Sequence, residues 1–221
     1  MIQTDLPTTT QSPPAALPVQ VCSPLAFQTI TELPEIVADP YDPPAPGREE
    51  RHHGVDFSYY RRKDRLSILG EGIRSVFPGK VAAVVLDKYP YGNMVIVETT
   101  QSELPTWLVK ELQITSGDSL YLLYAHMDKS PLTQLGEIVE ACQSLGEVGK
   151  SGDFNVEHLH LEARIGPGGT TFNGMAYYHT STTVEERENY KLWRTSGDYR
   201  HFDPMILFSP AFDENETTGE N

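Results

Sequence analysis

The sequence predicts a β-rich fold of antiparallel sheets with short peripheral helices, and three observations point to it. From Gly70 to Arg164, short runs rich in Val, Ile, Leu and Tyr alternate with Gly, Pro, Asn and Asp, the pattern of strands joined by tight turns. Helix signals are confined to two longer connections. The chain has no internal repeat, heptad or glycine-rich phosphate loop.

Strands are expected over residues 73–77, 80–87, 93–99, 119–126, 136–141 and 158–165. Ahead of the fourth, Ser102 and Pro105 precede an apolar set of Trp107, Leu108 and Leu112, which predicts a short helix. After the last strand, Thr183 and Glu186 stand at capping-box spacing before Tyr190 and Trp193, and Gly197 supplies a stop. Upstream, Arg51 to Phe57 reads with period two. This places His52, Gly54 and Asp56 on one face and His53 on the other.

At 221 residues and 24.7 kDa, one compact unit is the default expectation. Residues 1–46 hold ten of the seventeen prolines. Proline donates to no helix or sheet ladder, so this segment is expected as an arm or linker. Its first twenty residues carry no basic n-region or apolar h-region, so no secretion signal is expected in the chain as given. Residues 211–221 have four acidic groups and no basic one, and are expected as a solvated, disordered tail.

Seventeen basic against thirty-one acidic residues give a net charge of −14, with a pI near 4.8. Such a field repels phosphate backbones and anionic lipid surfaces, which argues against a nucleic-acid partner. The longest apolar stretch, Val81 to Leu86, is far short of the roughly 20 residues of a membrane-spanning helix. Two cysteines, Cys22 and Cys142, lie 120 positions apart. In an exported protein a bridge between them would pin the arm to the body, worth about 4–5 kcal/mol in the loop-entropy picture. The other reading is two unrelated buried thiols.

Spacing singles out five residues among the seven histidines and the carboxylates. Alternate side chains of a strand share a face, so His158 and His160 project together, with Glu162 next in line. His52 and Asp56 supply a second cluster, and Gly54 leaves room between them. Imidazole and carboxylate are favoured zinc ligands, and three protein ligands leave an open position for chemistry. His52, Asp56 and His160 supply that count for one Zn2+ per chain. His158 and His126, the latter at a strand end, are the candidates for general base and oxyanion partner.

Together these residues resemble the lysostaphin-type, or LytM-like, zinc metalloendopeptidases. The resemblance spans about Arg51 to Arg164. It rests on His52-His53-Gly54-Val55-Asp56 for the family's His-x-Gly-x-Asp, then Gly72-Ile73-Arg74-Ser75-Val76, Gly79-Lys80-Val81 and Gly92-Asn93-Met94-Val95. Tyr124-Ala125-His126-Met127, Gly149-Lys150-Ser151-Gly152 and His158-Leu159-His160-Leu161-Glu162 follow in matching order. Any one motif is weak, and their joint order carries the likeness. The resemblance implies antiparallel sheets forming a groove with the metal on its floor, His52, Asp56 and His160 as zinc ligands, and His126 and His158 as catalytic histidines. It further implies an extracytoplasmic enzyme, secreted or of the bacterial cell envelope, that hydrolyses peptide bonds in peptidoglycan cross-links or stem peptides. On this reading residues 47–210 form the metallopeptidase domain, with insertions near 99–118 and 166–200.

Several positions depart from the family pattern. Glu157 stands before His158 where the family often has proline. Cys142-Gln143 occupies a frequent Gly-Gln position, consistent with a cysteine kept for a bridge to the arm. In the long connections, Trp107, Tyr177, Tyr178, Tyr190 and Trp193 either wall the groove or, as is more common, pack the inserted segments onto the core; Tyr59 and Tyr60 carry the same ambiguity. His179 and His201 are expected to be structural, and His53 to point off the metal face. Glu162 is expected to orient a ligand, to pair with Arg164 or to be exposed to solvent. The alternative function is a non-catalytic envelope domain that regulates or scaffolds a cell-wall hydrolase. Such domains typically lose the metal residues, and all five positions are filled here. Because the acidic surface would be repelled by anionic walls, targeting would rest on an N-terminal anchor absent from the given chain or on an envelope partner.

Overall fold

Alternation along the longest segments of the chain sets up one large sheet. The computed structural model describes residues 19–45, 47–152 and 155–209; the first eighteen residues and the acidic tail, including the segments searched for a signal and expected to be disordered, lie outside them. The strands run β1 (Val37–Asp39), β2 (Gly54–Phe57), β3 (Tyr60–Arg62), β4 (Arg65–Ser67), β5 (Gly72–Arg74) and β6 (Gly79–Lys88). They continue as β7 (Gly92–Thr100), β8 (Asp118–Ala125), β9 (Ile138–Val139), β10 (Ser144–Glu147), β11 (Leu159–Pro167) and β12 (Arg200–Phe202). Two helices, α1 (Thr106–Leu112) and α2 (Val184–Arg194), occupy the two expected connections.

The main sheet has the order β1-β2-β11-β8-β7-β6-β9, with β12 also on β11, and all its pairings are antiparallel. β2 pairs Leu159 to Glu162, and β12 takes over along the same edge from Ala163. Two small ribbons, β5 with β10 and β3 with β4, complete the β structure. The fold class is therefore the β-rich antiparallel one that the sequence predicts.

Period two on β11 divides its side chains between two worlds. Leu159, Leu161, Ala163 and Ile165 enter an apolar core with Val55, Phe57, Leu122 and Tyr124. His158, His160, Glu162 and Arg164 face the opposite way. There Trp193 and Tyr190 of α2, three apart on one helix face, pack with Phe172 and Tyr199 in a second core. Helix α2 starts where the capping box predicts: Thr183 Oγ1 accepts from Glu186 N at 3.2 Å, and Glu186 Oε2 accepts from Thr183 N at 2.8 Å. Such a cap contributes about 0.5–2 kcal/mol.

From Val19 onward the proline-rich segment packs on the body. Leu25, Leu33 and Ile36 are buried in the first core, a 3-10 turn runs over Ile30–Ile36, and β1 pairs with β2. A Cys22–Cys142 disulfide ties this segment down. Cys142 has φ +67, the left-handed backbone that favours glycine, so the position keeps a glycine-like conformation although a bridged cysteine stands there. The strand expected over 136–141 shrinks to Ile138–Val139 because Glu140 and Cys142 turn away: Glu140 N donates to Gln143 Oε1, and Cys142 N to Ser75 O. The strand at 73–77 stops at Arg74, since Val76 N donates to the buried Tyr124 hydroxyl instead of a strand.

Candidate metal and catalytic site

β2 and β11 lie side by side with His160 opposite Asp56. This register brings the two ends of the sequence pattern together. Asp56 Oδ1 lies 2.7 Å from His160 Nδ1 and 3.0 Å from His52 Nε2, and the two nitrogens are 3.0 Å apart. Gly54 makes the approach feasible, because a Cβ there would sit 2.4 Å from Leu161 O and 3.0 Å from His160 Cε1. The room it leaves is thus taken by the neighbouring strand as well as by the ligand ring.

The remaining ring nitrogens settle the tautomers. His52 Nδ1–H donates to the Pro40 carbonyl at 2.9 Å, and His160 Nε2–H donates to Glu162 Oε1 at 3.2 Å. Carbonyl and carboxylate oxygens only accept, so His52 Nε2 and His160 Nδ1 present lone pairs toward Asp56 Oδ1. Three lone-pair-bearing atoms this close repel one another unless a cation stands among them. A proton or a divalent metal ion meets that need, and zinc bonds of roughly 2.0–2.2 Å suit the spacing and the N/N/O donor set.

The electrostatics agree. Burial pushes the Asp56 carboxyl upward, but His160 and His52, wherever they carry an extra proton and its charge, hold it well below the usual carboxylate range. Burial also opposes charge on His160, yet Asp56 and Glu162 raise it to about 9. His52 is raised in the same way, with Asp56 outweighing burial. The site therefore attracts positive charge.

His126 and His158 stand beside the cluster, with ring centroids 4.5 Å apart; His126 is 5.8 Å from His160. His126 Nδ1–H donates to Ser151 O at 2.8 Å, and His158 Nδ1–H to Val156 O at 2.9 Å. In this tautomer Nε2 is the nitrogen turned toward the cluster, and His158 Nε2 lies 3.7 Å from Asp56 Oδ2. Burial and the neighbouring His160 and His158 bring the His126 pKa down to about 3. His126 ends its strand at φ +62, a left-handed backbone rare outside glycine and typical of functional positions. The turn is held by Gly149 N, which donates to His126 O at 3.0 Å. A side chain on Gly149 would collide with the Asp128 backbone at 2.3 Å.

Four of the five predicted residues, His52, Asp56, His126 and His160, line one cavity of about 200 Å3 together with Tyr91 and Arg194, and His158 stands beside His126 and Asp56. A larger hollow of about 680 Å3, around Glu98 and Ser119, lies elsewhere and is lined by none of the five. Glu162 is not exposed to solvent, the third alternative for it: fully buried, it accepts from both His160 and Arg164. His53, expected to point off the metal face, is instead buried in the lining of the same cavity and accepts from Arg164 Nη2 at 2.8 Å, on the face that carries His160. His201 accepts from or donates to the Tyr41 hydroxyl at 2.6 Å, and His179 is exposed. Trp193 and Tyr190 are packing residues, whereas Tyr177 and Tyr178 remain partly exposed. Trp107 packs against the first core, away from the cleft.

Sequence reasoning missed Pro40, Ser151, Tyr91 and Arg194. The first two act through backbone oxygens, which leave no residue-type signal. Tyr91 donates to Glu162 Oε1 at 2.6 Å, a contact across 71 positions that no local spacing reveals. The side chain of Asn93 accepts from Asp87 N and donates to Met127 O.

The model of peptidase family M23 matches residues 50–174. Among solved structures, the chain is similar to the catalytic domain of the antimicrobial peptidase lysostaphin from Staphylococcus simulans, at 20% identity over 62% of this chain and 86% of that one, with a TM-score of 0.43. A mutant catalytic domain of the prophage-encoded M23 protein EnpA from Enterococcus faecalis matches at 20% identity over 69% and 88% of the two chains, TM-score 0.42. A zinc-containing peptidase from Vibrio cholerae matches at 23% identity over 57% of this chain, TM-score 0.38, and the chain spans only about a third (32%) of that protein's length.

Proposed function

The chain belongs to peptidase family M23, and from that premise we propose that it is a zinc-dependent endopeptidase acting on peptide bonds of bacterial peptidoglycan, in a cross-link or a stem peptide. The observation that carries the reading is the convergence of His52 Nε2, Asp56 Oδ1 and His160 Nδ1 within 3.0 Å of one another, with the ring proton of each imidazole committed to an acceptor on its far side. In this reading residues 47–210 are the peptidase domain, residues 1–46 its arm and residues 211–221 an acidic tail. The disulfide favours an extracytoplasmic setting.

His52, Asp56 and His160 would hold the ion. A bound zinc supplies Lewis-acid polarisation of the scissile carbonyl and acidifies the attacking water. The chain's own groups do the rest. His126, neutral because burial and its neighbours depress its pKa to about 3, takes or returns a proton at Nε2. His158, with its Nε2 toward the same space, serves the developing oxyanion or the leaving amine once that nitrogen has taken up a proton, as the one released by the attacking water. Ser151 O and Val156 O keep both rings in the competent tautomer.

The test is hydrolysis of defined peptidoglycan peptides by the full chain. The reading expects cleavage that creates one new amino and one new carboxyl terminus, stops with a chelator and returns with zinc. A protein that binds zinc yet cleaves no wall peptide would instead be an envelope domain that regulates or scaffolds another hydrolase.

A further inference from the structure

Helix α2 lies beyond the span matched by the family model, which ends at residue 174, yet its last two residues reach the site. Glu162, wholly buried, is the acceptor for the far nitrogen of His160. Its Oε1 also accepts from Tyr91 Oη at 2.6 Å and Arg194 Nη1 at 3.1 Å. Its Oε2 accepts from Trp193 Nε1 at 2.8 Å and from Arg164 Nη2 and Nε at 2.8 and 3.1 Å. Arg194 does one thing more: Nη2 donates to Glu49 O at 3.0 Å, three residues before His52. One guanidinium therefore joins the strand that carries His160 to the segment that leads into His52.

We propose that Arg194 and Trp193 are positioning residues for the metal ligands, acting through Glu162. The inference rests on the zinc reading above and assigns α2 a part in it. A terminal carboxylate torsion is broad, roughly two-fold, so a carboxylate with too few donors turns and takes the imidazole plane with it. The fixed fork of Arg194 holds Oε1 and the rigid indole N–H of Trp193 holds Oε2, which together resist that rotation. Residues that orient a ligand in this way typically account for about 10–100-fold in metal affinity.

The experiment compares the full chain with Arg194→Met, which keeps the aliphatic stem, and Trp193→Phe, which keeps an aromatic ring and removes the N–H. Arg187→Met, half-buried on the same helix beside Tyr178 and outside the lining of the metal cavity, is the control. Zinc affinity is measured by competition with a chromophoric chelator, and ligand geometry by the visible spectrum of the cobalt-substituted protein, with folding followed by circular dichroism. Arg194→Met is expected to weaken zinc binding about tenfold or more and to alter the cobalt bands, Trp193→Phe to do so to a smaller extent, and Arg187→Met to match wild type. Should Arg194→Met fail to fold, Arg194→Lys, whose ammonium cannot span both acceptors, takes its place with the same expectation. A folded Arg194 variant with wild-type affinity and spectrum overturns the inference while leaving the zinc reading intact. A wild-type protein that takes no metal at His52, Asp56 and His160 overturns both.

Discussion

His160 Nδ1 lies 2.7 Å from Asp56 Oδ1 although 104 positions separate the two residues. The contact follows from strand register, because β2 and β11 pair antiparallel with these two residues opposite each other. Each is then flanked by a histidine at even spacing just ahead of its own strand, His52 before β2 and His158 before β11, which brings four side chains into one neighbourhood.

Removing either non-ligand histidine separates binding from turnover. His126→Ala and His158→Ala are each expected to retain zinc and to slow peptide hydrolysis by about 10²–10⁴-fold. Metal content and the rate of product formation on the same samples check this. A near-wild-type rate in either variant removes that residue from proton handling.

Gly54→Ala is expected to destabilise the fold by about 1–3 kcal/mol, since the added methyl would sit 2.4 Å from the Leu161 carbonyl oxygen. Backbone of the paired strand is the obstacle, and it cannot swing aside without moving His160. Urea denaturation with and without zinc measures the loss. A variant as stable as wild type would mean that β2 and β11 sit further apart than described.

The Cys22–Cys142 bridge closes 120 positions, and breaking it is expected to cost about 2–5 kcal/mol. Chemical denaturation with and without reductant, and of a Cys22→Ser, Cys142→Ser protein, reads this directly. The reduced protein should also bind zinc less tightly, because the tethered segment carries the Pro40 carbonyl that holds the His52 ring. Unchanged stability on reduction would mean that the apolar contacts of Leu25, Leu33 and Ile36 suffice to keep the arm in place.

Acid should loosen that arm. The Thr29 backbone N–H and the Lys63 ammonium hold the Glu32 carboxyl at about 2, against an ordinary value of 4.5. A folded-state pKa lowered in this way contributes stability that is present above about 4.5 and is lost as pH falls toward 2. Carboxyl carbon shifts followed by NMR give the midpoint, and salt should move it upward because the pair is near the surface. A midpoint near 4.5 at low salt contradicts this.

Much of this was legible in the chain. Alternation of Leu159, Leu161 and Ala163 with His158, His160 and Glu162 gave away a strand with one apolar and one chemical face. Thr183 and Glu186 marked the start of α2, because a capping box is local chemistry. Other features were invisible for physical reasons. The left-handed backbone of His126 is imposed by the turn it closes, and nothing in the residue type announces it. Arg194 meets Glu162 only through the packing of α2, and Ser151 and Pro40 contribute oxygens that every residue has. The dense prolines before residue 46 weaken regular structure, yet Leu25, Leu33 and Ile36 find the first core and hold the segment down, since apolar burial does not depend on backbone donors.

Everything proposed for catalysis requires that His52, Asp56 and His160 share one metal ion. The decisive quantity is the zinc content of the purified full chain, determined after reconstitution and dialysis beside His160→Ala. One zinc per wild-type chain is expected, and essentially none in the variant dialysed against the same ligand-free buffer. Stoichiometric zinc in a folded His160→Ala protein, or none in wild type, would refute the shared site.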